Sequence, residues 1–353
     1  MIDMEKFDPQ YKKSNFPQIR PQWLALRQEA VLQPEQRIVD SHHHLWDEEF
    51  APYHADELLH DIGGGHAVEA TVLVEGKARY RTTGPAHLRP VGETEFAVAQ
   101  AERAASRGAS VCQGIVAWAD LTLGPKVEEV LHAHVEAGQG RFRGIRCRAA
   151  WSDNPALSGP ADGPPQGVLR HPVFQAGVNV LSRMGMSLDV WAYHTQLADV
   201  VQLARDCPEA RIVLNHVGGP LGIGPFEGHR EEVFEVWRAG MTELGQCGNV
   251  VVKLGGLGMP RTGFPFASAE APVASEELAS AWRPYVDACI DSFTPARCMF
   301  ESNFPVDKGM CSYLVLWNAF KRLAAGYSSG ERDALFRGTA TRVYRLDLKA
   351  ADR

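Results

Sequence analysis

No apolar run in this sequence is long enough to cross a bilayer, which argues against membrane-spanning helices. The N-terminal stretch carries Asp3, Glu5, Lys6 and Pro9 where a signal peptide has its apolar segment, so none is expected. Basic residues are no surplus: 36 Lys and Arg stand against 43 Asp and Glu, a net charge of −7, which leaves no electrostatic footprint for nucleic acid. Cysteine pairing motifs are missing too. The seven cysteines (Cys112, Cys147, Cys207, Cys247, Cys289, Cys298 and Cys311) include no CxxC, and we expect reduced thiols in a cytoplasmic protein. Low-complexity tracts, short repeats and a GxGxxG after the first strand candidate are also absent.

What remains is a globular chain of 353 residues, 45% hydrophobic, long enough for one large barrel or two ordinary domains. Eight strand-like runs recur along it. The first lies within Arg37–Trp46, followed by Val68–Glu75, Val111–Trp118, Phe142–Arg148 and Ser187–His194. Arg211–His216, Asn249–Leu254 and Cys298–Asn303 complete the set. Helical periodicity separates most of them, at Thr94–Arg107, Lys126–Ala137, Val173–Met184, Gln196–Asp206, Glu231–Leu244 and Glu276–Phe293. Tyr313–Ala325 and Gly330–Leu346 follow. Near-continuous β-branched runs alternating with helices indicate parallel strands buried on both faces. Eight such units predict an α/β protein with a (β/α)8 TIM barrel over residues 37–353. An open doubly wound sheet is the alternative. Residues 1–36 read as an N-terminal extension, anchored by Trp23 and Leu24, that packs across the barrel or a neighbouring subunit. Loops 75–93 and 151–169 read as lids.

In a barrel of this kind chemistry gathers at the C-terminal strand ends. Alternation along the first strand projects His42 and His44 together and turns His43 away. Two such imidazoles suit a divalent cation such as zinc. The other strand ends carry Glu75, Arg146, Arg148, Tyr193, His194, Asn215, His216, Lys253, Glu301 and Asn303, with Asp307 just beyond. The remaining histidines fall on helices and loops and are assigned no role. Glu301 reads equally as a buried partner of Lys253 or Arg146, and Lys253 as an ion-paired lysine or a Schiff-base former. Trp46, Tyr53 and Trp191 could wall a pocket, and Arg146 and Arg148 could clamp a substrate carboxylate.

The stretches Val39–Trp46, Arg143–Arg146, Leu214–Gly218, Val252–Leu257 and Glu301–Pro305 together resemble the amidohydrolase superfamily. Within it they are similar to the amidohydrolase-related (amidohydrolase 2) branch, which includes lactonases of the 2-pyrone-4,6-dicarboxylate and sugar-lactone type. The resemblance implies that His42, His44 and His194 hold a metal and that His216 contacts the water or the substrate carbonyl. It also implies a strand-8 aspartate as proton acceptor, where this sequence has Asn303. An amide cannot act as a general base, so Glu301 or Asp307 is expected to replace it. Some lactonases of the branch use no metal, and the resemblance leaves that mode open.

The reading that follows is a hydrolase opening a lactone or similar cyclic ester, one bearing a carboxylate. A metal-dependent decarboxylase or hydratase of an unsaturated or aromatic acid is the second reading, and a non-catalytic binding barrel the third. A small-molecule substrate is expected, with neither nucleic acid nor membrane as partner. The extra N-terminal segment is compatible with a homo-oligomer.

Overall fold

Alternation of apolar strands and amphipathic helices dictates the architecture seen in the computed structural model, which describes residues 18–47, 52–154, 157 and 165–348. Eight parallel strands follow one another around a single sheet in sequence order. They are β1 (Arg37–His43), β2 (Ala67–Val74), β3 (Gly114–Ala117), β4 (Phe142–Arg148), β5 (Ser187–Trp191), β6 (Arg211–Leu214), β7 (Val250–Leu254) and β8 (Cys298–Phe300). The eighth closes on the first. Asn303 N donates to His42 O at 2.8 Å and His44 N to Phe304 O at 2.7 Å, so the chain just past β8 completes the ring. The protein is a (β/α)8 barrel.

The longer helices are α1 (Ala55–Ile62), α2 (Val91–Ala105), α3 (Val127–Ala137), α4 (Pro172–Arg183), α5 (Leu197–Asp206), α6 (Arg230–Gly245), α7 (Ser275–Phe293) and α8 (Tyr313–Leu323), with short ones at Pro21–Leu24, Ser329–Asp333 and Thr339–Val343. Helix α1 lies in none of the helical stretches expected from the sequence. Its start is fixed by a capping box in which His54 N donates to Glu57 at 2.9 Å.

Side chains alternate between two cores. Ile145, Leu188, Val190, Ile212, Leu214, Val250 and Val252 pack outward against the helices. Their neighbours Val213, Val251 and Met299 fill the lumen with Val39 and Val72. Val343 and Tyr344 plug that lumen from the C-terminal segment. The same alternation aims Arg146, Arg148, Asp189, Lys253 and Glu301 into the barrel interior, above the apolar plug.

Residues 18–36 lie across the barrel. Trp23 Nε1 donates to Ala269 O at 3.1 Å and Arg27 to Pro272 O at 3.0 Å. Lys321 Nζ holds the carbonyls of Leu32 and Gln33 at 2.7 and 2.8 Å. Of the expected extension, residues 1–17 lie outside the described residues, as do residues 155–156 and 158–164 of the loop expected to act as a second lid, 151–169. The other loop, 75–93, is pinned: Glu93 accepts the N–H groups of Gly76 and Ala78 at 2.6 and 2.9 Å.

Candidate active site

The site is built on three strand ends, those of β1, β6 and β8. β1 delivers His42, and His44 follows one residue past the strand; their Nε2 atoms stand 3.2 Å apart. His44 Nδ1–H is committed to Val74 O at 2.7 Å, which leaves its Nε2 a lone pair facing His42. His43 turns the opposite way, to Thr71 Oγ1 at 2.8 Å. The third imidazole beside this pair is His216, whose ring centroid lies 4.6 Å from that of His42.

Glu301 joins the two strands. Its Oε1 accepts from both His216 Nδ1 at 2.7 Å and His216 N at 3.0 Å. Its Oε2 lies 2.8 Å from His42 Nδ1, yet no donor is aimed along that line, and this buried oxygen accepts no aligned hydrogen bond. The carboxylate therefore touches two imidazoles rather than Lys253 or Arg146, the partners of its alternative reading. Donor atoms of His42, His216 and Glu301 lie within 4.8 Å of one another. Neutral imidazole nitrogen with a carboxylate oxygen lacking a donor is the donor set a divalent ion takes. Burial, and then the charge of Lys253, holds the His42 imidazole well below its usual range; burial and Arg146 do the same for His44. Both rings are thus neutral and available as ligands.

The family resemblance implies His194 as a third ligand beside His42 and His44. In the fold β5 ends three residues earlier, and His194 opens a short 3-10 turn. Its Nδ1 accepts from Leu221 N at 3.4 Å and its ring meets Phe226 edge-on at 5.0 Å. Burial lowers its pKa to about 4.

Below the histidines the charges are matched in pairs. Lys253 Nζ binds Asp189 Oδ2 at 2.8 Å and also reaches His42 Nδ1 at 3.4 Å. Asp189 accepts further bonds from Asn215 at 3.0 Å and Tyr344 at 2.8 Å. Lys253 is fully buried in this ion pair. Arg146 and Arg148, expected to clamp a substrate carboxylate, converge instead on Glu75. Arg146 Nε contacts Oε1 at 2.8 Å, while Arg148 contacts both oxygens at 2.6 Å. Burial pushes the Glu75 carboxyl up, but the two guanidiniums outweigh it and hold it below its usual range. Arg146 Nη1 remains 3.5 Å from His42 Nε2, so one edge of it still faces the site.

Asn303 and Asp307 close on each other: Asn303 Nδ2 donates to Asp307 Oδ1 at 2.9 Å, and Gly258 N to Oδ2 at 3.1 Å. Burial raises the Asp307 carboxyl to about 8. Trp46 stacks on His44, with centroids 5.9 Å apart and planes 12° from parallel. Tyr53 is core, donating to Asp61 at 2.6 Å. Two glycines of the β7 loop admit the site. A Cβ on Gly256 would lie 2.4 Å from His216 Nδ1, and one on Gly258 would lie 2.9 Å from the Asp307 carboxylate.

Sequence reasoning missed Asp189, Asp40, Glu93 and Arg261. A lone aspartate inside the apolar run of β5 was the available signal for Asp189. Asp40 ties β1 to the β8 end by accepting from Ser302 N at 2.9 Å. Arg261 lies over the Trp191 ring at 5.5 Å and hydrogen-bonds Tyr193 Oη.

The sequence pattern of the amidohydrolase family matches residues 39–346. The chain belongs to the amidohydrolase family. An uncharacterized protein y4mH of Sinorhizobium fredii is 34% identical over 326 residues, covering 88% of this chain and 98% of that relative. An L-fucono-1,5-lactonase of Burkholderia multivorans is 28% identical over 323 residues, covering 87% and 96% respectively. Among solved structures, an amidohydrolase from Burkholderia multivorans with bound zinc superposes with a TM-score of 0.66 at 25% identity, over 88% of this chain and 99% of that one. This amidohydrolase is an enzyme of the hydrolase class, of the lactonase-like branch. No helix among its described residues is long and apolar enough to cross a membrane.

Proposed function

We propose that this amidohydrolase opens a lactone, with a sugar-acid lactone the first candidate and a divalent ion, zinc by preference, at the histidine cluster. The observation that carries the reading is Glu301 bridging His42 and His216, with His44 Nε2 presented to the same space. The lactonase activity of a relative 28% identical supports the substrate class.

His42, His44 and Glu301 would hold the ion, which would supply electrostatic stabilisation of the developing oxyanion. The residues themselves account for the rest. Glu301 keeps the His216 proton on Nδ1, leaving Nε2 free to take a proton from the attacking water, as a carboxylate-oriented imidazole does. Arg146, held against Glu75, offers its remaining edge to the carbonyl oxygen. The water oxygen bonds to the carbonyl carbon, the ring C–O bond breaks, and the alkoxide receives the proton held by His216. The product hydroxy acid ionises, so each turnover releases one proton to solvent.

Proton release in weak buffer, with L-fucono-1,5-lactone and a panel of other aldonolactones, tests this. Enzyme-dependent acidification above the spontaneous rate is expected with at least one sugar lactone. No acceleration across the panel would overturn it.

A further inference from the structure

With Arg146 and Arg148 consumed by Glu75, an acid-bearing ligand needs other cations. Two stand outside the histidine cluster. A cavity of about 680 Å³ opens between the loops after β6 and β7 and the segment before β1, lined among others by Arg20, Phe226, Arg230, Gly258 and Phe264. Its volume is that of a small-molecule site.

Neither guanidinium has a carboxylate partner among the described residues. Arg20 Nη2 donates to Ala267 O at 2.5 Å, and Arg230 donates to Thr262 O at 3.1 Å and Tyr285 Oη at 3.4 Å. Each lies over an aromatic ring, Arg20 over Trp23 at 3.9 Å and Arg230 over Phe264 at 4.1 Å. Stacking fixes the plane of a guanidinium and leaves its edge donors for an anion. Among the described residues most of the roughly five N–H donors on each take no partner. The exposed Glu227 also lines the cavity, which leaves one positive charge in excess. At Gly258 the cavity is one backbone thickness from Asp307, whose carboxylate accepts that residue's N–H.

We propose that this cavity binds the acidic group, carboxylate or phosphate, of a small molecule through Arg20 and Arg230. That the molecule is the substrate rests on the lactonase reading above.

The test is calorimetric titration of phthalate, phenyl phosphate and neutral benzamide into the full-length protein and into Arg20→Gln, Arg230→Gln and the double variant. Binding of phthalate or of phenyl phosphate, but not of benzamide, supports the proposal when each single variant weakens it about tenfold, the loss expected for a charge-assisted hydrogen bond. The single variants keep the test open should the double variant fail to fold. Failure of both anions to bind the unaltered protein, or equal affinity in the variants, overturns it. A fall of similar size in kcat/KM for an acid-bearing lactone relative to a neutral one, in Arg230→Gln, supports the substrate as occupant. Arginine-dependent binding in a protein that opens no lactone overturns the lactonase reading and leaves the anion site standing.

Discussion

His44 directs a bare Nε2 at His42 Nε2 across 3.2 Å, because its own Nδ1–H is spent on Val74 O. When His42 keeps its proton on Nδ1, beside Glu301, two lone pairs face each other in a buried space. A cation between them relieves that arrangement. Elemental analysis of protein purified without a histidine tag should find a near-stoichiometric divalent ion, zinc first. His42→Ala should lose it while still unfolding cooperatively. A metal-free protein that opens lactones would contradict this.

Glu75 is the sole carboxylate holding both Arg146 and Arg148 among the described residues. Glu75→Gln leaves two guanidiniums in the barrel without a counter-charge. Breaking a buried pair from one side costs about 3–5 kcal/mol, so urea unfolding should show a loss of that order. A loss under about 1 kcal/mol, as for surface pairs, would mean the arginines find water or other acceptors.

Gly256 lies at φ +66°, with the His216 ring where its side chain would be. Gly256→Ala should displace His216 from Glu301. A misplacement near 1 Å costs on the order of a hundredfold in rate. The expected signature is a large fall in kcat with only a modest fall in melting temperature. Unchanged kcat would show that the β7 loop yields without moving His216.

Glu93 is buried and its carboxyl is raised to about 8, first by burial and then by the neighbouring Glu75 charge. A folded pKa above the unfolded one means the folded state holds the proton more tightly. That stability is complete below the unfolded glutamate value and is lost as pH rises through about 8, at no more than about 1.4 kcal/mol per pH unit. Glu93→Gln keeps an oxygen for Gly76 and Ala78 and removes the titration. Its stability should fall less between pH 6 and 8 than that of the unaltered protein. Parallel curves would contradict the assignment.

Much of this was legible in the chain. Period-two alternation places His42 and His44 together whatever the barrel's details, and the eight apolar strand runs give closure by their number. Strand parity does not govern His194, because β5 ends at Trp191 and His194 opens the turn that follows. Pairings across the barrel escaped for a related reason. Glu75 meets Arg146 and Arg148 only because β2 and β4 share a lumen, and Asp189 meets Lys253 only because β5 and β7 do. Each charge was readable alone, while the partner that neutralises it is a property of the closed sheet. Asn303, in the place where a catalytic aspartate was expected, is hydrogen-bonded to Asp307.

The most direct test of the account is the turnover of Glu301→Gln on whichever lactone the unaltered enzyme opens fastest, followed by proton release. Loss of the carboxylate that orients His216 should lower kcat about 10²–10⁴-fold, the range of general acid–base catalysis, while the protein remains folded. Turnover within a few-fold of the unaltered enzyme, or carbon dioxide release in place of a new carboxylate, would contradict it.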